Sequence, residues 1–270
     1  MSGPEPGDPY FAEQPPRPYA QEITRHPGSL RIGVLTHAWG GRRTTAPVAD
    51  AVSHTARMLE SLGHRVEEAD VDLGLDWEQF VLANTHLWTA NLTATIDELA
   101  AALGRPKDAS TLEPVTLARY HYGQRVSGTQ LVTALAARNR VARGLPRVFE
   151  TYDALLTPTT PELPPPAGEL AEGADELDGL GWIRRVLDRS PFTTAFNVAG
   201  TPAMTVPSPW TPGRDCRSAC SSPPGTRTRD ACSASPPGWS TPAPGRAEPP
   251  RCGREPTRSP SAPTVRRARR

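Results

Sequence analysis

The sequence predicts an α/β fold, and three observations carry the prediction. A short apolar run with β-branched residues, Leu30 to Thr36, is followed by a helical repeat and a second strand-like run, Arg65 to Val71, which is the strand–helix–strand pattern of α/β proteins. Long amphipathic helical segments follow from Trp77 onward. The composition then changes near Ser208. Residues 1–207 carry 18 Lys+Arg against 25 Asp+Glu, a net charge of −7, whereas residues 208–270 carry 12 Arg against 4 acids, a net charge of +8. The formal +1 of the 270-residue chain is therefore the sum of two unlike segments.

The elements follow in order. Residues 1–29 are rich in Pro and Gly, lack periodicity, and read as an extended N-terminal segment. After the first strand, Thr45 is placed to cap a helix with Pro47 and Asp50 in its first turn. Val48, Val52, Ala56, Leu59 and Leu62 recur at helical spacing until Gly63. Trp77, Phe80, Val81, Leu87, Trp88, Leu92, Ile96 and Leu99 mark a long amphipathic helix from Trp77 to Leu103, stopped by Gly104-Arg105-Pro106. Two further helices are expected, from Leu112 to Tyr122 and from Gln130 to Phe149. Pro146 must kink or restart the second, because it removes a backbone donor and crowds the preceding turn. A short buried strand at Ala154–Leu156, a Pro- and acid-rich loop from Pro158 to Asp178, a helix around Trp182–Leu187 and a closing strand at Ala203–Val206 complete the body, residues 30–207.

Residues 208–270 contain no Leu, Ile, Met, Phe or Tyr but 13 Pro, so they bury too little apolar surface to offset chain entropy and are expected to be a disordered Arg/Pro-rich tail. A natural basic arm that attracts phosphate is one explanation. A change of reading frame is another. Asp215–Cys220, encoded in GC-rich codons and read from the third base, spells L-P-V-G-V-Q, and Asp230–Pro244 treated likewise gives a Leu-rich amphipathic helix. The excess of Arg over Lys, 29 to 1, agrees with GC-rich coding. Under that reading the basic charge is an accident of translation, and nucleic acid is not the expected partner.

All four cysteines lie in the tail, so no disulfide staples the body. No apolar run approaches the ~20 residues that span a bilayer. The N-terminal residues lack the basic start and apolar stretch of a secretory signal. The expected product is cytoplasmic, with no membrane partner.

Several short motifs, in order, resemble the amidase signature family: Gly7-Asp8-Pro9-Tyr10, Arg31-Ile32-Gly33-Val34, Asp153-Ala154-Leu155-Leu156-Thr157-Pro158, and Phe196-Asn197-Val198-Ala199-Gly200 with Pro202. The resemblance covers about residues 3 to 210. It implies an α/β/α sandwich with a mixed central sheet, here incomplete, and hydrolysis of carboxylic amides without a cofactor. It also implies a Ser nucleophile, a bridging Ser and a Lys that takes up the proton, beside a Gly/Ser-rich loop forming the oxyanion hole. In family order Met1–Pro4 corresponds to a point just after the nucleophile region, so the triad is expected upstream of this chain.

No substitute is evident. Lys107, the one lysine, lies in a polar interhelical loop. The one Ser-Ser pair, Ser221-Ser222, precedes a proline in the tail, and no G-x-S-x-G elbow is present. His121 falls between Tyr120 and Tyr122 on a helix. Asp50 with His54, and Glu60 with His64, are four residues apart, but two residues do not make a metal site. Catalytic and metal residues are therefore predicted to be absent from this chain. The resemblance places Thr157, at a strand end, beside the substrate cavity, with Thr159 and Asn197 as further pocket candidates; loop capping is the alternative role for all three. His37 ends the first strand, at the edge where α/β folds face ligands.

The expected function is that of an amidase-family fragment, the substrate-side half, inactive alone and able to take a small amide only when the missing half complements it. Two alternatives stay open: a non-catalytic interaction protein with a basic tail, and one half of a split amidase. Exposed strand edges in an incomplete sheet would favour aggregation or homo-oligomers.

Overall fold

A computed structural model describes residues 6–7, 16–208 and 216–221, with backbone alone for Ser208 and 216–221. The first segment is not wholly extended. Tyr19–Glu22 forms a single helical turn, α1, whose Glu22 carboxylate is buried against Arg17 Nε at 2.7 Å. A four-residue helix has no periodicity to read, and this one is held by an ion pair instead.

Among the described residues five strands make one sheet, ordered β2-β1-β3-β5-β4: β1 (Arg31–Val34), β2 (Arg65–Glu68), β3 (Ala154–Pro158), β4 (Ala203–Ser208) and β5 (Cys216–Ser221). β1 runs parallel to both β2 and β3, whereas β5 runs antiparallel to β3 and β4, so the sheet is mixed. β5 lies inside the segment whose composition predicts disorder. Six residues of that segment instead pair with two neighbours, and the tail beyond Ser221 lies outside the described residues. Backbone pairing needs no apolar side chain, which is why composition gave no sign of this strand. β2 is shorter than its apolar run: Ala69 N still bonds Val34 O at 2.9 Å, and the chain then leaves the sheet.

β3 is buried along its whole length, and alternation sends its neighbouring leucines to opposite faces. Leu156 joins Ile32, Val34 and Val52 beneath helix α2 (Ala46–Ser61). Leu155 joins the larger core on the other face, with Phe80, Leu145, Ile183, Phe192 and Phe196. That second layer is built from α3 (Trp77–Leu103), α4 (Pro114–Gly123), α5 (Gly128–Gly144), α6 (Gly179–Arg189) and α7 (Pro191–Ala199). Helix, sheet and helices thus form three layers.

Local chemistry sets the helix ends. Asp76 caps α3 by accepting from Gln79 N at 2.7 Å, and Gly104 ends it at φ 61°, a conformation glycine adopts without steric cost. Ser127 and Gln130 form a reciprocal capping box on α5. α5 stops at Gly144, and Leu145–Glu150 continues as a 3₁₀ turn with Pro146 in its first turn, the restart expected from that proline. Thr45 precedes α2 as expected but does not cap it with its side chain. Its Oγ1 donates to Pro161 O at 3.3 Å and its N–H to the same oxygen at 2.8 Å, which ties the helix start to the loop after β3. Asp50 falls beyond the first turn of α2.

The middle of α3 departs from the amphipathic pattern. Asn84, Thr85, His86 and Thr89 are buried, while Trp88 and Leu99 are exposed. The helix backbone absorbs most of this polarity: Thr85 Oγ1 donates to Val81 O at 2.8 Å, Thr89 Oγ1 to Thr85 O at 2.6 Å, and Asn84 Nδ2 to Phe80 O at 2.8 Å. Burial becomes possible because α4 approaches closely here. A Cβ built on Gly123 would meet Thr89 O at 2.2 Å, and backbone cannot swing aside. Gly123→Ala is therefore expected to cost about 1–3 kcal/mol by forcing α3 and α4 apart. A fall in the urea midpoint measures this; an unchanged midpoint would mean that the two helices can separate freely.

Candidate functional site

The helical layer encloses an open groove of about 1300 Å³. α3 contributes Asn84, Leu87, Trp88, Asn91, Leu92 and Thr95, and α5 contributes Leu131, Arg138, Asn139 and Ala142. Arg119 comes from α4, Ile183 from α6, and Thr194, Asn197, Val198 and Ala199 from α7. The surface therefore combines apolar side chains with amides and two guanidinium groups, and no Asp or Glu lines it among the described residues. Such a mix, mostly apolar with a few polar groups that fix orientation, is typical of small-molecule sites, although the volume exceeds the roughly 300–1,000 Å³ usual for one.

The polar groups are held from behind. Asn84 is buried at the base, and its bond to Phe80 O leaves the amide oxygen able to accept. Arg119 donates from Nε to Val115 O at 3.1 Å and from Nη2 to Thr116 Oγ1 at 3.1 Å, both on its own helix. Burial pushes its pKa down, partly opposed by Glu113, yet a guanidinium stays charged. The N-terminus of α6 packs against the same turn of α4: a Cβ on Gly179 would meet Tyr122 Cβ at 2.5 Å and Arg119 Cα at 3.2 Å. Thr194 Oγ1 returns its proton to Ser190 O at 3.0 Å.

The four pocket candidates divide into two places. Asn197 is exposed and lines the groove. His37, Thr157 and Thr159 do not line it. They sit where adjacent parallel strands β1 and β3 end. Thr157 is fully buried and donates to Pro158 O at 3.0 Å. Thr159 Oγ1 is buried without a partner among the described residues. His37 is exposed, with Nδ1 3.2 Å from Thr36 Oγ1 and 3.9 Å from Glu68. Over this edge runs the loop after β3, fastened by Arg42 to Glu162 at 2.8 Å and by Arg189 to Glu169 at 2.7 Å. Asn84, Arg119, Arg138 and Thr194 were not singled out by sequence. The one available signal was Asn84-Thr85-His86, polar residues interrupting an apolar helix face.

Lys107 lies far from a base in character. Its Nζ is 2.7 Å from Asp97 Oδ1 and 5.6 Å from the centre of the Tyr120 ring, and Tyr120 Oη donates to the same carboxylate oxygen at 2.7 Å. The hydrogen bond it donates to Asp97, and then the neighbouring Tyr120 hydroxyl, raise its pKa above the ordinary lysine range, so it holds its proton throughout neutral pH. His86 moves the opposite way: burial lowers its pKa and keeps it neutral, its ring stacked 6.2 Å from Tyr122. Among the described residues no group of three or more His, Cys, Asp or Glu could hold a metal ion, and no helix is long and apolar enough to cross a membrane. Carbon-13 reductive methylation followed by NMR titration is expected to show Lys107 losing its proton above the pH at which free lysine does. Asp97→Asn should bring that midpoint down; a midpoint at or below that of free lysine would contradict the geometry.

Comparison with known proteins agrees with this architecture. The profile of the Amidase family matches residues 1–216. The chain is 32% identical over 213 residues to the 6-aminohexanoate-cyclic-dimer hydrolase of Paenarthrobacter ureafaciens, an alignment that covers 77% of this chain and 43% of that protein. It is 30% identical over 206 residues to the putative amidase AmiA2 of Mycobacterium tuberculosis, covering 74% and 39% respectively. Its fold matches the solved structure of 6-aminohexanoate cyclic dimer hydrolase complexed with substrate at a TM-score of 0.77 and 29% identity, over 87% of this chain and 49% of that one. A bacterial aryl acylamidase of the amidase signature family shares the fold at a TM-score of 0.67 and 18% identity, covering 84% of this chain and 46% of that one. The chain thus spans less than half the length of these relatives. With the profile matched over most of its length, a three-layer fold and a groove bordered by its closing helices, the chain belongs to the Amidase family.

Proposed function

We propose that this chain is the substrate-side portion of a carboxylic amide C–N hydrolase, and that these 270 residues do not open an amide by themselves. The state of Lys107 carries the second half of the proposal. Amide hydrolysis needs a hydroxyl made nucleophilic by a base, donors for the tetrahedral oxyanion, and a proton for the leaving amine. The family resemblance assigns the base role to a lysine. The single lysine here is paired with a carboxylate that also accepts from a phenol, so it keeps the proton that such a base must give up and take back. The Ser221-Ser222 pair, whose first residue ends β5, matches no catalytic pattern. The groove, by contrast, has the character of a substrate surface, and the names of the relatives, a cyclic-dimer hydrolase and an amidase, support an amide as what it would receive. Thr157, Thr159 and His37 are assigned to the neighbouring sheet edge, with Thr159 Oγ1 as the group open to a further partner.

A second reading is one half of a split amidase; the chain aligns with less than half of each relative. A separate polypeptide would then supply the hydroxyl and the base. We further infer that the frame changes near Ser208. β5 occupies a place between β3 and β4, where the alternative-frame L-P-V-G-V-Q would supply the apolar residues expected of an interior strand, and the chain has Cys-Arg-Ser-Ala-Cys-Ser. The absence of cysteine from residues 1–207 supports a cytoplasmic, reducing setting.

Purified chain incubated with a series of aliphatic and aryl amides is expected to release no amine above the rate in buffer. Release that a serine-directed acylating reagent abolishes would overturn the proposal.

A further inference from the structure

The charge of the groove lining is one-sided. Its two ionisable lining residues are Arg119 and Arg138, and no carboxylate lines it among the described residues. Arg119 is partly buried and bonded only to the neutral Val115 O and Thr116 Oγ1, which leaves guanidinium donors unused. Arg138 has neither an ion pair nor a hydrogen bond among the described residues. Away from the groove, Arg17 and Arg189, half-buried like Arg119, are paired with Glu22 and with Glu162. Arg119 and Arg138 are thus the two cations of a lining that also includes the apolar Leu87, Trp88 and Leu131. Guanidinium and carboxylate meet through paired N–H···O bonds, stronger where water is partly excluded.

The geometry points to an acyl amide that carries a carboxylate as the ligand of this groove: its acyl chain lies along Trp88 and Leu87, and its carboxylate is taken by Arg119 and Arg138. This rests on the reading of the chain as the substrate-side portion of an amide hydrolase, and it names the substrate class of that same site. The amides of Asn84 and Asn197, both on the groove, are then available to the ligand's own amide group, which offers one donor and one acceptor.

Isothermal titration of the full chain with N-octanoylglycine and with its uncharged counterpart N-octanoylglycinamide tests the assignment. The carboxylate compound is expected to bind about tenfold more tightly, and about 0.5 M sodium chloride should erode that preference. Arg119→Gln and Arg138→Gln should each remove most of it. Circular dichroism checks the folding of both variants; Arg138 is exposed, so Arg138→Gln decides the matter if Arg119→Gln does not fold. Equal affinity for the two compounds, retention of the preference by the folded variants, or failure of both compounds to bind would overturn the assignment. Amide turnover by the purified chain would overturn the underlying reading alone, because the binding preference stays measurable in that case.

Discussion

The whole structure depends on β3, a strand buried on both faces. Leu155 and Leu156 are adjacent in sequence, yet they anchor opposite layers, one beneath the five-helix layer and the other beneath α2. A polar residue at either position would strand a desolvated group in one of the two cores. The same strand positions the loop that begins at Thr159, and through Pro161 O it holds the start of α2. Gly33 shows how tightly the adjoining strand is fitted. A Cβ there would lie 2.8 Å from both Ala69 Cβ and Leu155 Cδ2.

From this strand the groove follows by packing. α5 ends beside the sheet through Leu145, a fully buried residue of the larger core, and α7 enters the same core through Phe192 and Phe196. α3 packs against α5 and α6, and its contact with α4 at Gly123 sets where Arg119 meets the groove that α5 and α7 also line. The site is thus a consequence of how helices cross, with its polar groups borne by helices rather than by mobile loops. This gives the amides and guanidinium groups fixed origins, the condition under which a few hydrogen bonds can orient a ligand.

Much of the fold was legible because periodicity and punctuation agreed. α3 begins after Asp76 and stops at Gly104, as the apolar spacing and the Gly-Arg-Pro stop require, and Pro146 divides α5 from the turn that follows. What could not be read was non-local. α1 is fixed by an ion pair between Arg17 and Glu22, and β5 by pairing with strands distant in sequence; neither leaves a periodic trace. The groove was only partly legible. Asn197 could be found from a motif, whereas Arg119 and Arg138 resemble any solvated helix arginine until three helices are placed side by side. The charge change at Ser208 was plain in the sequence, but its meaning depends on reading frame, which amino acids alone encode ambiguously.

In the proposed reading, Lys107 is the reason that this member of the family does not open an amide by itself. Lys107 is surrounded by groups that stabilise its cation, the inverse of the desolvated or cation-flanked settings that make a lysine a base. The most direct test of the account is intact-mass spectrometry of the chain after exposure to an activated acyl ester such as p-nitrophenyl acetate. The account predicts no stoichiometric acylation of any serine. One acyl group per chain, mapped to a single serine and removed by hydroxylamine, would contradict it.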